Sequence, residues 1–356
     1  MMNKYTKYIG LSCILLSFSH AAVSAEQCDT NSLPILGSEL PSNLNSYAGI
    51  EKFVNVYRVG PSHAYKRPSD VAGIAEDNSL IEIEAGEYFE DVAVWRQNNI
   101  TIRGVGGLAH MDSNGRVAQQ KAIWVIKGNN VIVDSIEFSG ARVADLNGAG
   151  IRIEGANLTI RHAYFHDNEM GVLSATNLES EILIEDSEFS HNSLIVERNG
   201  SPPSHNIYIG EVAKFTLRRS YIHDAEEGNN VKSRARENYI LHNRITDETS
   251  GSSYLLDLSN GGKAYIVGNV FHQSALNYNS TLVSFAAEKK GSLGGSLYVG
   301  NNNMINSSHY ATFVRNYSGE AATVTNNVFV GKGQILSGSG DVTNSTQFLS
   351  SGVVNY

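Results

Sequence analysis

Cysteine is scarce in this chain, with two among 356 residues. Cys13 lies inside an apolar N-terminal run, so removal of that run leaves Cys28 alone and no intrachain disulfide can form. No Cys/His spacing of the zinc-binding kind occurs. Proline is sparse, at six residues, and no Pro/Ser linker or block of like charge divides the chain into domains. Positive charge is in deficit: Lys+Arg number 27 against 36 Asp+Glu, and dropping Lys4 and Lys7 with the N-terminal segment takes the formal charge from −9 to −11. Nucleic acid is therefore excluded as a general partner, because such binding relies on cations neutralising phosphates. A local basic groove stays open. Long hydrophobic runs are also missing. The apolar stretch 8–18 is shorter than the roughly 20 residues a spanning helix needs, so no membrane insertion is expected.

That stretch has another reading. Lys4 and Lys7 precede it, and Val23-Ser24-Ala25 fits the small-residue rule for cleavage before Glu26. Residues 1–25 read as a signal peptide, which places the mature protein in the periplasm or outside the cell. Cys13 falls within the apolar run rather than after it, so a lipoprotein is not indicated.

What the chain has in abundance is glycine, 33 residues, and a repeat. Segments of β-branched residues, a short polar break and an aromatic or aliphatic pair recur: NNITIRGVGG at 98–107, NNVIVDSIEF at 129–138, ANLTIRHAYF at 156–165, SEILIEDSEF at 180–189. The series continues through AKFTLRRSYI, ENYILHNRIT, KAYIVGNVFH, SLYVGNNNMI and ATVTNNVFVG. Matching positions are Ile102, Val133, Ile160, Ile184, Leu217, Leu241, Val267, Val299 and Thr325, separated by 24 to 33 residues. Such spacing signifies stacked supersecondary units. The apolar residues alternate, as in Ile182 and Ile184, so the units are strands rather than helices. No unit can bury its own apolar face, and stacking must build the core. Asn168, Asn192, Asn243, Asn269, Asn302 and Asn327 recur at turns, where left-handed or side-chain-bonded backbone is wanted.

This coil pattern, with its IEIEAGEY entry at 81–88 and TIRG-type strands, resembles the pectin-lyase-like right-handed parallel β-helix superfamily from about residue 78 onward. The resemblance implies an all-β, single-stranded right-handed parallel β-helix, a solenoid of about nine to ten coils with an N-terminal cap. The expected layout is a signal peptide at 1–25, cap and lead-in at 26–78, and β-helix at 79–356. The superfamily holds pectate, alginate and chondroitin lyases, polygalacturonases, pectin methylesterases, uronan epimerases and non-catalytic adhesins, so the fold alone does not choose a chemistry.

A second strand precedes each repeated segment: GIRIE at 150–154, GVLSA at 171–175, NIYIG at 206–210, NVKSR at 230–234, YLLDL at 254–258. Successive strand residues face opposite ways. With Ile151, Ile207, Val231 and Leu256 inward, Arg152, Asn206, Tyr208, Asn230, Lys232, Arg234 and Asp257 are expected outward. Rungs about 4.8 Å apart would gather them into one patch.

The run EEGNNVKSRARENYILHNRI at 226–245 resembles the corresponding coil of the alginate and chondroitin lyases grouped as polysaccharide lyase family 6. The resemblance implies Lys232 as catalytic base and Glu227 as a carboxylate helping to hold calcium. That family's next coil supplies an arginine. Here the coil offers Asp257, Ser259 and Asn260 instead, which leaves Arg234 as the stand-in. Lys232, Arg234 and Tyr208 are thus the catalytic candidates, and Arg152, His205, Asn206, Asn230, Asp257 and Asn260 the substrate-binding ones. β-Elimination of a uronate requires its carboxylate neutralised, the C5 proton removed and the leaving O4 protonated. An ordinary lysine near pKa 10.4 would need neighbouring cations, Arg234 and Arg236, to act as base. His162, His166, His191, His223 and His242 read as structural residues of coil turns. The expected substrate is an acidic polysaccharide or oligosaccharide, acted on by a monomer. A C5-epimerase or glycoside hydrolase lacks its familiar motifs here, and a non-catalytic glycan-binding solenoid is the other alternative.

Overall fold

Each coil is a triangle made by three short strands and two tight bends. One coil illustrates it: Leu158–Arg161, then Tyr164–His166, then Met170–Ser174, with His162 (φ 50°) and Asp167 (φ 53°) at the bends. Those bends need left-handed backbone, which Asn, Asp and His tolerate better than most residues. The same device recurs at His191, His242, Asn301 and Asn326. The recurrent asparagines follow one position later. The computed structural model describes residues 53–193, 203–288 and 295–349. The expected signal peptide, Cys28 and the expected cap up to residue 52 lie outside these.

Every strand pairs in parallel with its counterpart one coil on, for example Leu158 with Ile182, Tyr164 with Glu188 and Val172 with Ile207. Ten strands form one continuous wall, from Ala93–Trp95 to Gly333–Ser337, and the other two walls join in a 21-stranded sheet. This is the expected parallel β-helix. Asn55–Val59 already pairs in parallel with Ser79–Glu87, so the ladder reaches back into the segment expected as lead-in, beside a one-turn helix at Pro68–Ala72.

Inward side chains stack from rung to rung. Trp95, Trp124, Phe138, Phe165 and Phe189 run in series with ring centroids 4.6–5.4 Å apart. Burying each such side chain contributes about 1.5–3 kcal/mol. The inward aliphatic row corrects part of the sequence alignment. Ile184 and Leu217 continue as Ile240, Ile266, Val299 and Val324, so Leu241, Val267 and Thr325 stand one residue out of step, on the outer face. Runs such as Tyr239-Ile240-Leu241, apolar at every position, do not reveal which member faces in.

Asparagines form two buried ladders. Asn243, Asn269 and Asn302 each pass an amide hydrogen to the next member's Oδ1 at one corner, in a series that ends at Asn327. At the corner entering the ten-strand wall, Asn168 donates to Asn192, Asn192 to Asn206, Asn206 to Asn230, and Asn230 to Asp247. Burial pushes the Asp247 carboxyl up to about 7, its bonds to Ser252 and Asn230 only partly offsetting this.

On the outside of the wall that includes Tyr164–His166, His166 and His223 are strand residues, not turn residues. Burial disfavours charge on His223, but its contacts with Asp224 and Glu188 outweigh that and push it up to about 9. A folded pKa above the unfolded value of about 6.5 means the stabilisation is complete below pH 6.5 and lost as pH rises through 9. At about 1.4 kcal/mol per pH unit, the window is worth roughly 3 kcal/mol. Denaturant melts of wild type and His223→Gln at pH 6 and 9.5 are therefore expected to differ widely at the lower pH and converge at the higher. A difference independent of pH would rule the ion pairs out as its source.

Candidate functional site

The strand register aligns one outward residue per rung along the ten-strand wall: Val94, Val125, Arg152, Leu173, Tyr208, Lys232, Asp257, Ser284, Arg315 and Ser337. Tyr208, Lys232 and Asp257 occupy three adjoining rungs, as alternation predicts. Their inward neighbours Ile207, Val231 and Leu256 are fully buried and hold the row in place.

A cleft of about 490 Å³ opens over this row, lined by Arg152, Leu173, His205, Tyr208, Lys232 and Arg234, with Asp145 and Glu211 at its sides. The Tyr208 ring is part of its lining. The Arg234 guanidinium lies 5.1 Å and the Lys232 ammonium 5.9 Å from that ring's centre, and the His205 ring meets it edge-on at 5.5 Å. His205 Nδ1 accepts the backbone N–H of Asn229 at 2.9 Å, which puts the neutral ring's proton on Nε2.

Lys232 and Arg234 share Glu288, which alternation did not single out. Lys232 Nζ lies 2.7 Å from its Oε1 and Arg234 Nη2 lies 2.6 Å from its Oε2, while Asp257 stands 3.5 Å from Lys232. Burial would raise the Glu288 carboxyl, but the bonds from Lys232 and Arg234 prevail and bring it down to about 2. The expectation that Arg234 and Arg236 surround Lys232 with cations is thus corrected, since two carboxylates face it. Arg152 differs. Among the described residues it makes no ion pair within 4 Å, and its buried Nε has no hydrogen-bond partner. Burial disfavours its charge, with Glu154 opposing. An arginine in this position is set up to receive an anion.

Four substrate-binding candidates stand apart from the cleft. Asn206 and Asn230 have no exposed surface and belong to the asparagine ladder behind the wall. They sit at the bend before each strand, where alternation does not yet hold. Asp257 keeps its outward register but is 4% exposed, covered by Lys232 and bonded by Ser259 and Asn229. Burial raises its carboxyl pKa and Lys232 pulls it back. Asn260 is buried and donates to Glu211 at 3.4 Å. Glu227 does not line the cleft, and among the described residues no group of three metal-binding side chains includes it. Calcium takes six to eight oxygens, whereas the carboxylates nearest the catalytic candidates are already bonded to Lys232 and Arg234. The described residues do not offer a calcium cage here.

The family described as right handed beta helix region matches residues 88–271. No curated protein matches the chain. Among solved structures, the chain is similar to pectate lyase Pel9A at 13% identity, over 83% of this chain and 79% of that one, with a TM-score of 0.56. A PL6 family alginate lyase, AlyGC, aligns at 14% identity over 83% of this chain and 40% of its own, with a TM-score of 0.41. A pectin methylesterase from Aspergillus niger aligns at 12% identity over 82% and 85%, with a TM-score of 0.36. At such identities the likeness is one of fold.

Proposed function

This chain belongs to the right-handed β-helix family, and from that premise we propose that it is an exported polysaccharide lyase that cleaves an acidic, uronate-containing glycan by β-elimination. The observation that carries the reading is Arg152, a half-buried cation without an anionic partner among the described residues, two rungs from Tyr208 and three from Lys232 along one open cleft. An elongated sugar chain can lie along such a row.

In this reading Arg152 and Arg234 receive the uronate carboxylate, which makes the C5 proton more acidic. Lys232 takes that proton, the C4–O4 bond breaks as the C4–C5 double bond forms, and Tyr208 protonates the departing oxygen. Lys232 accepts a proton only as the neutral amine, so its ammonium must first leave Glu288 and release a proton to water. A substrate carboxylate competing with Glu288 for Arg234 loosens one of the two contacts that hold Glu288 beside Lys232.

The Glu288 contacts also favour a second reading, a groove that binds glycan without turning it over, because they neutralise the two cations nearest Tyr208. One experiment separates the two. Incubation with alginate, pectate and chondroitin is expected to yield an ultraviolet-absorbing unsaturated uronate from at least one of them. Saturable binding with no absorbance gain would favour the binding groove, and neither result from any uronate polymer would remove both readings.

A further inference from the structure

The wall that includes the strand Tyr164–His166 carries a pattern twice on its outer side. Tyr164, His166 and Asp167 recur two rungs on as Tyr221, His223 and Asp224. In both copies the tyrosine ring stacks on the histidine, at 4.4 and 4.0 Å. The histidine Nδ1 faces its own aspartate at 2.7 and 2.8 Å, and Nε2 faces a glutamate of the preceding rung, Glu137 at 3.0 Å or Glu188 at 3.3 Å. The copies differ in one respect. In register with Glu137, one rung earlier, stands His110, whereas the residue in that relation to Glu188 is Tyr164.

His110 turns Nε2 to 3.9 Å from Glu137 Oε1 and to 2.7 Å from Ser139 Oγ, while its Nδ1 lies 2.7 Å from Glu87. Two imidazole nitrogens therefore converge on one carboxylate oxygen, and ligand atoms of the three residues all lie within 4.8 Å of one another. We propose that His110, Glu137 and His166 form a zinc site that ties three successive rungs together.

Three features favour zinc. Tetrahedral zinc with bonds of about 2.0–2.2 Å sets its ligand atoms roughly 3.4 Å apart, and the separations of 3.0 and 3.9 Å bracket that. Two imidazoles with one carboxylate suit zinc, whereas calcium and magnesium want oxygen throughout. Each histidine also gives its other ring nitrogen to a carboxylate, His110 to Glu87 and His166 to Asp167. That outer support orients metal-binding imidazoles and raises their basicity. The three side chains are half-buried, which leaves a side open to water or an incoming ion. None of them lines the cleft on the ten-strand wall, so the site stands or falls independently of the lyase reading.

The test uses the full chain with any affinity tag removed and Co²⁺ as the spectroscopic probe. One equivalent is expected to bind with the visible absorption of a four-coordinate centre, to be displaced by Zn²⁺, and to raise the melting temperature. His166→Ala and Glu137→Gln are expected to weaken binding at least about tenfold. His110→Tyr, which copies the register of the sister pattern and so keeps the wall intact, should do the same. His223→Ala should leave binding unchanged. Absence of saturable Co²⁺ binding, binding that persists in both His110→Tyr and His166→Ala, or loss of binding in His223→Ala would each overturn the site.

Discussion

Lys232→Ala is expected to slow uronate elimination by about 10²–10⁴-fold, the range over which a positioned proton-transfer group contributes. The loss should fall on kcat, because Arg152 and Arg234 remain to hold the substrate carboxylate. The variant also disturbs its neighbours, and the direction of that disturbance can be worked out. Lys232 is the cation that offsets the burial of Asp257. Removing one partner of a buried pair commonly costs about 3–5 kcal/mol, but Asp257 can escape most of this by taking up a proton. The variant should therefore melt somewhat earlier, and the deficit should shrink toward acid pH. Glu288 keeps Arg234 but loses the Lys232 bond, the larger of the two that hold its carboxyl down. Lys232→Arg keeps a cation beside Asp257 and Glu288 but no amine that can act as base, and so separates the two effects: activity lost with the melting temperature largely kept identifies a chemical role. If Lys232→Arg turns over glycan at the wild-type rate, the lysine is only part of an ion-pair network and the catalytic assignment fails.

The coil repeat was legible because a solenoid writes its geometry locally, with alternating strands and a left-handed bend in every turn. For the same reason the row Arg152, Tyr208, Lys232 and Asp257 follows from the sequence pattern, since Arg152, Tyr208 and Asp257 lie between aliphatic residues and Lys232 between Val231 and a small serine, Ser233, that face inward. Legibility ended at the bends. Asn206 and Asn230 precede their strands by one residue, and there the chain turns its side chains into the corner rather than out of the wall. Glu288 lay beyond reach for another reason. It follows the strand Thr281–Phe285 and a left-handed residue, Ala286, and meets Lys232 only because two long side chains span two rungs. The grouping of His110, Glu137 and His166 depends on residues 27 and 29 positions apart falling into register, which the irregular coil lengths conceal. Periodicity specifies which side of a strand a residue takes. It does not specify how far a side chain reaches along the stack.

Asn230→Ala is expected to destabilise the fold by about 3–5 kcal/mol, the sum that a few unsatisfied buried groups at about 1–3 kcal/mol each would reach. Asn230 Oδ1 accepts from Asn206 at 2.8 Å and from the Ala225 backbone at 3.2 Å, and its Nδ2 donates to Asp247 at 2.8 Å. Alanine strands the Ala225 N–H and Asp247 Oδ1 in a corner with no access to water, while Asp247 Oδ2 keeps Ser252 and Asn206 keeps its bond to the His223 carbonyl. The ladder has no spare partner, because each member is already committed to the rung before and the rung after. Asn230→Asp makes the mechanism specific. It keeps the acceptor but sets a second carboxyl against Asp247, whose own carboxyl burial already pushes up to about 7. One shared proton can bridge the pair in acid, so the Asn230→Asp deficit should grow as pH rises, whereas the Asn230→Ala deficit changes less. Thermal melts between pH 5 and 8 measure both. Were Asn230 on the outer wall and touching glycan, both variants would melt like wild type and lose affinity instead, and the corner ladder would not be what locks the wall behind Tyr208 and Lys232.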